Sequence, residues 1–193
     1  MRDQQAVTDT MRDIRAEFGR IDCLVTLAGG SLGTPTQLAE IRAEDVDLVL
    51  DVNIKGTLFC CQAAVPHLRE GGGGAIVTTS SIGGRQPSPV TGVSYAAAKA
   101  AILGLTRRLA KEVGGDGIRV NSIAPGLFLT DRLKGMYESM GESDRRSVLD
   151  AIPLNRFPEV REVVDPILFL ASYEASYITG VALDVNGGRF MPM

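Results

Sequence analysis

The sequence is poor in the features that mark several classes of protein. Its three cysteines, Cys23, Cys60 and Cys61, have no metal-binding spacing, and an adjacent pair is a poor set of disulfide partners. A net charge of −3 and an isoelectric point near 5.2 argue against a nucleic-acid-binding surface. No apolar run approaches the roughly 18 residues that a membrane span needs, and the polar, charged N-terminus predicts no secretory signal. We therefore expect a cytoplasmic protein that binds no metal, no nucleic acid and no membrane.

The residues that are present predict a single α/β domain. The chain has 193 residues, 45% of them hydrophobic, which suffices for one core. Apolar, β-branched segments predict strands near 21–27, 75–80, 118–123 and 179–185, as in a parallel sheet covered on both faces. The spacing of Val7, Met11, Ile14 and Phe18 predicts an amphipathic opening helix that ends at Gly19.

The most informative stretch is Tyr95-Ala-Ala-Ala-Lys99. Positions i and i+4 share one face of a helix, so the Lys99 ammonium can lie beside the Tyr95 ring. A cation about 4 to 5 Å away, in a site of effective dielectric about 20, favours the phenolate by roughly 3 to 4 kcal/mol. We expect the pKa of Tyr95 to fall by about two to three units, enough for a working acid or base. An ordinary helix carrying one tyrosine and one lysine is the alternative.

The predicted strands end in small or polar residues, where open α/β sheets bind ligands. The strand near 75–80 ends at Ser80 and Ser81, while the strands before and after it run into Ala28-Gly29-Gly30 and Ala124-Pro125-Gly126. Small residues let the backbone approach a flat ligand closely. Asn53 lies within a long helical stretch from about 42 to 68, where a buried amide requires a partner.

Taken in their order along the chain, these motifs resemble the signature of the short-chain dehydrogenase/reductase family. The resemblance runs from residue 1 to about Gly188. The resemblance implies a Rossmann-like, doubly wound parallel sheet that binds NAD or NADP. It implies that Tyr95 is the catalytic acid/base, with Lys99 tuning it and holding the nicotinamide ribose. By the same resemblance Ser81 polarises the substrate oxygen, and Asn53 holds a water in the proton path. The residues implied to contact the cofactor are Thr26, Ala28, Gly29, Asn53, Tyr95, Lys99, Pro125, Gly126 and Thr130.

Three departures from the family pattern stand out. Thr26-Leu27-Ala28-Gly29 replaces Asn-Asn-Ala-Gly, which removes two bracing amides, and the gap from Ser81 to Tyr95 is one residue longer than the common spacing. Ser80 therefore stays an alternative for the serine role. Compared with the family pattern, the chain lacks the glycine-motif region and the first three strands. At roughly 30 residues per βαβ unit, this region would comprise about 60 residues. We expect the strand near 21–27 to become an apolar sheet edge that invites aggregation.

The resemblance implies an oxidoreductase that interconverts an alcohol and a carbonyl in a small-molecule substrate. It implies a homodimer or homotetramer built on the Asn53 helix and the Tyr95 helix. The irregular segment at about 127–158 would be a flexible substrate loop within the single 1–193 domain. A truncated, non-catalytic remnant that binds partners is the alternative, and an isomerase or lyase on this scaffold also stays open, because a fold does not fix a reaction.

Overall fold

Four parallel strands form one sheet in a computed structural model that describes residues 1–88, 90–129 and 131–192. Each strand pairs with the next along the chain, in the order β1-β2-β3-β4. Parallel neighbours require a crossover, and helices supply it here. The sheet confirms the predicted strands, with the bounds β1 (Cys23–Thr26), β2 (Gly74–Thr79), β3 (Ile118–Pro125) and β4 (Ala182–Val185).

The longer helices follow the apolar periodicity of the sequence. The first begins at an Asp3 side chain that accepts from the Ala6 backbone N–H, and it ends at Gly19, whose φ of 77° is a left-handed cap. The helix that carries Tyr95 begins at Val93, two residues before the tyrosine. The α-helices are α1 (Gln4–Phe18), α2 (Ala43–Leu50), α3 (Gly56–Glu70), α4 (Val93–Val113), α5 (Asp131–Ser139), α6 (Glu142–Asp150) and α7 (Val160–Ala171).

Helices cover both faces of the sheet, as the doubly wound architecture requires. Side chains alternate along a strand, so Ile76 and Val120 point to one face and Val77 and Ile123 to the other. The first face packs against α1, α3 and α4. The second packs against α7 through Val163, Ile167 and Leu170. The predicted Rossmann-like fold is therefore confirmed, with one hydrophobic core on each side of the sheet.

A single long helical stretch joins α2 to α3 through one π-helical turn, Asp51–Lys55. From Ala43 to Glu70 it is long and apolar enough to cross a bilayer, which the count of apolar runs did not indicate. Val49, Ala64 and Leu68 are fully buried within the fold, however. This is the environment of a core helix.

Strand β1 forms an open edge, since among the described strands it pairs with β2 alone. Val25 is 37% exposed and Leu27, just beyond the strand, is 62% exposed. An apolar edge with unpaired backbone groups favours association with another chain. The exposed edge that the sequence predicted is present.

The segment at 127–158 differs from the irregular loop that we expected. It contains the two helices α5 and α6, joined at Gly141, whose backbone carbonyl accepts from the N–H of Arg145. Charged and apolar residues are mixed in this segment, so the sequence did not indicate the two nine-residue helices. The loop prediction was wrong for these residues.

Candidate functional site

A cavity of about 230 Å³ opens at the carboxyl ends of β1, β2 and β3. Open parallel sheets bind ligands at this end because the loops there diverge around a crevice. Within the described part of the chain, Lys99 and Arg189 are the charged residues of its lining, and both are cationic. The lining consists of Leu27, Gly29, Gly30, Ser31, Thr79, Ser80, Ser81, Ile82, Ser88, Val90, Thr91, Tyr95, Lys99, Pro125, Gly126, Leu127, Phe128 and Arg189.

Tyr95 and Lys99 lie on the same face of α4, as their spacing predicted. The Lys99 Nζ atom lies 5.7 Å from the centroid of the Tyr95 ring and donates a hydrogen bond of 2.9 Å to the Thr79 carbonyl. Lys99 is only 4% exposed. Burial disfavours the charged form, which lowers the pKa of the Lys99 ammonium to about 8. The group is thus still mostly protonated at pH 7 beside the phenol.

The two adjacent serines have different surroundings. The Ser80 hydroxyl is buried and donates to the Lys99 carbonyl at 2.7 Å, so its proton is engaged. The Ser81 oxygen accepts from the Gly83 backbone N–H at 3.1 Å, which leaves its own proton available. Of the two hydroxyls, that of Ser81 is the one that can donate to a ligand.

Asn53 lies in the π-helical turn and is fully buried. Its side-chain oxygen accepts from the Gly30 N–H at 3.1 Å, and its amide nitrogen donates to the carbonyls of Gly30 (2.9 Å) and Val49 (2.8 Å). These bonds engage the side-chain amide, which therefore ties the loop after β1 to the long helix.

The loop after β1 passes very close to α4 and to the π-helical turn. A Cβ added to Gly29 would lie 2.5 Å from Asn53 Oδ1 and 2.9 Å from Lys99 Nζ, so a larger residue there would displace one of these side chains. Gly126, after β3, is also crowded, since its Cβ would lie 2.9 Å from the Cα of Asn186. Gly29, Pro125 and Gly126 all reach the cavity.

Three of the expected cofactor contacts, Thr26, Ala28 and Asn53, are absent from the described lining of the cavity. Thr26 is buried in the sheet, where its hydroxyl has no partner among the described residues. Ala28 is exposed beside the cavity and is absent from its lining. Thr130 lies outside the described residues.

The sequence reading missed Ser88, Thr91 and Arg189, all of which line this cavity. The Thr91 hydroxyl is buried and has no hydrogen-bond partner in the described part of the chain. Arg189 directly follows the Asn186-Gly187-Gly188 turn after β4, at the carboxyl edge of the sheet. That position was the signal that could have identified it.

The residues present fit the nicotinamide and ribose end of a dinucleotide. A buried ammonium, a phenol and glycine backbone converge on one cavity, and the buried Thr79 hydroxyl in its lining has no partner among the described residues. A larger cavity of about 720 Å³ lies at the opposite, amino end of the strands, lined by Gly72, Gly73 and Gly74 among others. It holds none of the proposed catalytic groups.

Comparison with known proteins gives consistent matches over nearly the whole chain. The family described as Enoyl-(Acyl carrier protein) reductase matches residues 1–189. The 3-oxoacyl-[acyl-carrier-protein] reductase FabG of Thermotoga maritima is 39% identical over 186 residues, which cover 96% of this chain and 73% of that protein. A 3alpha-hydroxysteroid dehydrogenase of Mediterraneibacter gnavus is 37% identical over 97% of this chain and 72% of its own length.

Solved structures agree with these sequence matches. A short-chain type dehydrogenase/reductase from Mycobacterium ulcerans has a TM-score of 0.90 at 31% identity, covering 97% of this chain and 67% of that one. ElxO with NADP bound has a TM-score of 0.89 at 34% identity, covering 97% of this chain and 75% of that one. At these sequence identities the similarity extends beyond the fold to the family.

Proposed function

The chain belongs to the short-chain dehydrogenase/reductase family, and we propose that it works as an NAD(P)-dependent oxidoreductase at the Tyr95 cavity. The observation that carries the proposal is the convergence of the Ser81 hydroxyl, the Tyr95 phenol and the buried Lys99 ammonium on one cavity. The names of the relatives describe reduction of an oxo group and dehydrogenation of a hydroxyl group. A small-molecule alcohol or carbonyl compound is the corresponding substrate here.

The nicotinamide, when bound, accepts or supplies the hydride that the reaction moves. Lys99 and Tyr95 would hold its ribose, while Gly29, Pro125 and Gly126 let the chain approach the ring closely. ElxO was solved with NADP bound and, as a tyrosine-to-phenylalanine variant, with NADPH bound. For the present chain we propose NAD or NADP as the cofactor. The proposed set of cofactor contacts is completed by Thr26, Ala28, Asn53 and Thr130.

The proton follows a separate route through the protein. The Ser81 hydroxyl donates to the substrate oxygen, because its own oxygen already accepts from Gly83. In the oxidation direction the substrate alcohol loses its O–H proton to the Tyr95 oxygen as the hydride leaves the carbinol carbon. The charge on Lys99 stabilises the phenolate form of Tyr95, which takes this proton, while the neutral phenol returns it in the reverse direction. Asn53 supports the site by fixing the loop that packs on Lys99, and we propose that it also holds a water in the proton path.

Tyr95→Phe tests this assignment, with the exposed Tyr177→Phe as the matched control. We expect Tyr95→Phe to lower turnover of secondary alcohols by about 100-fold or more, because general acid–base catalysis contributes at least this much. Formation of reduced nicotinamide, followed by absorbance with NAD and with NADP, measures the rate. Titration of NADH and NADPH against protein fluorescence shows whether the cofactor still binds.

Unchanged turnover in Tyr95→Phe would refute the acid–base role. A folded protein that binds neither cofactor would favour the alternative of a non-catalytic, partner-binding remnant.

We further propose that the chain forms a homodimer or homotetramer in the cytoplasm and that α5 and α6 cover the substrate. The exposed face of α3 and α4 carries an open groove of about 650 Å³, where apolar residues such as Leu58, Leu105 and Leu109 alternate with polar and charged ones. Such a groove suits a second copy of the same helices. Phe128, just before α5, lines the catalytic cavity and supports the covering role.

A further inference from the structure

We propose that Arg189 recognises an anionic group, in particular a carboxylate, on the alcohol or ketone substrate. This inference rests on the proposed oxidoreductase function and specifies its substrate class. It starts from the charge of the cavity, whose lining, among the residues that the structure describes, contains two cationic residues and no Asp or Glu. A partly dry cavity with uncompensated positive charge attracts an anion more strongly than bulk water would allow.

Arg189 has no ion pair in the described part of the chain. Arg85, which lies near the same end of the sheet, is different, because it binds Asp184 through two hydrogen bonds of 3.1 and 2.8 Å. The charge of Arg85 is therefore neutralised within the protein. The charge of Arg189 remains available to a ligand, and a guanidinium offers a planar pair of donors that matches a carboxylate.

The backbone of Arg189 is held in place by the residues around it. Its N–H donates to the Asn186 carbonyl at 3.2 Å, and its carbonyl accepts from the Gln86 side chain at 3.3 Å. The ring of the next residue, Phe190, packs against Arg85, whose Cζ atom lies 4.9 Å from the ring centroid. Arg189 is thus presented by an anchored segment, which lowers the entropy cost of binding a ligand.

A hydroxyl near the serine supplies the second observation. Thr91 lines the cavity, and its buried hydroxyl has no partner among the described residues. A Cβ on Gly83 would lie 3.1 Å from Thr91 Oγ1 and 3.6 Å from Ser81 Oγ, so the two hydroxyls flank the same glycine. A buried polar group without a partner is costly, and a ligand oxygen would satisfy it. We assign Thr91 as a further polar contact to the substrate.

The test compares hydroxy acids with their neutral methyl esters. Oxidation of 3-, 4- and 5-hydroxy carboxylates and of their esters is measured for the unmodified protein, Arg189→Gln, Arg189→Lys and the exposed control Arg161→Gln. We expect Arg189→Gln to raise KM for the best acid by about tenfold or more while kcat changes less, since a charge-assisted bond is lost. Arg189→Lys should restore part of the affinity, and the ester KM should stay within about twofold.

Equal KM values for acid and ester, unaffected by Arg189→Gln, would overturn the inference while leaving the oxidoreductase function intact. Weaker NADPH binding in Arg189→Gln, with no change for the acids, would also overturn it, because Arg189 would then serve a cofactor phosphate.

A binding measurement decides the inference even if no alcohol in the panel is oxidised. Calorimetric titration of pentanoate, and of a short-chain alkyl phosphate as a second anion, is compared between the unmodified protein and Arg189→Gln. Loss of pentanoate binding in the variant supports the inference, and loss of alkyl phosphate binding alone identifies a phosphate ester as the anion. Identical binding of both anions by the two proteins contradicts it.

Discussion

Lys99 combines two properties that favour opposite charge states. It lies beside the Tyr95 ring, where its charge is useful, yet its burial lowers its pKa to about 8. The Thr79 carbonyl partly offsets the lost hydration by accepting a hydrogen bond from Nζ. A buried ammonium costs stability, so its retention indicates a role other than packing.

This cost predicts a pH dependence of folding stability. Between pH 8 and 10.5 the unfolded chain holds a proton on Lys99 that the folded chain has released. The free energy of unfolding should therefore rise with pH across this window, by about 3 kcal/mol for the shift alone. In Lys99→Met this contribution is absent. Urea unfolding of both proteins at several pH values measures the difference, with the exposed Lys111→Met on the same helix as the control.

Burial raises the pKa of the Cys61 thiol to about 12, which also makes the free energy of unfolding depend on pH. Comparing the unmodified protein with Lys99→Met separates the contribution of Lys99 from that of this cysteine. That shift has the opposite sign and is common to both proteins. A difference that stays constant from pH 8 to 10.5 would show that Lys99 is not desolvated.

At the scale of elements, the loop after β1 and the long helix form one unit. The π-helical turn places Asn53 opposite Gly30, and the side chain binds both polar groups of that backbone. π-helical turns within α-helices are frequent at functional sites. Here the turn lets a helix side chain hold the loop that follows β1.

Gly29 and Gly30 test how closely this loop fits the helix. Both have similar φ angles, 158° and 153°, so alanine is placed in a comparable backbone conformation at each. Alanine at 29 also meets Asn53 and Lys99, whereas at 30 its nearest neighbour lies at 3.9 Å. We expect Gly29→Ala to lower the free energy of unfolding by about 2 kcal/mol more than Gly30→Ala, as overpacking does. Urea unfolding measures both, and equal losses would show that the loop yields without strain.

At the scale of the whole molecule, two apolar surfaces compete for a second copy. One is the α3 and α4 groove, where Leu58 is 39% exposed, and the other is the open edge at β1. The groove is shaped by helices and suits a closed dimer. The edge offers backbone groups that can pair without closure.

Leu58→Asp and Val25→Lys distinguish the two surfaces. We expect Leu58→Asp to halve the mass of the main species in light scattering after size exclusion, because it buries a charge in the groove interface. Val25→Lys should leave that mass unchanged and slow aggregation on heating. Leu38→Asp, which alters an exposed residue that belongs neither to the lining of the groove nor to β1, is the control. An unchanged mass in Leu58→Asp would contradict the proposed interface.

The sequence by itself determined the positions of the four strands, the opening helix and the pairing of Tyr95 with Lys99. These features depend on local periodicity, and a four-residue spacing on a helix fixes a shared face. It did not reveal α5 and α6, where short helices interrupt a mixed pattern of charged and apolar residues.

Tertiary structure decided the contacts between distant parts of the chain. It distinguished Ser81 from Ser80, because the Ser80 hydroxyl binds the carbonyl of Lys99 nineteen positions later. It gave Asn53 its partner in Gly30. It also brought Arg189 into the cavity with Tyr95. The physical reason is that each of these contacts is made by packing helices and loops against the sheet, and no local spacing encodes which loop lies beside which helix.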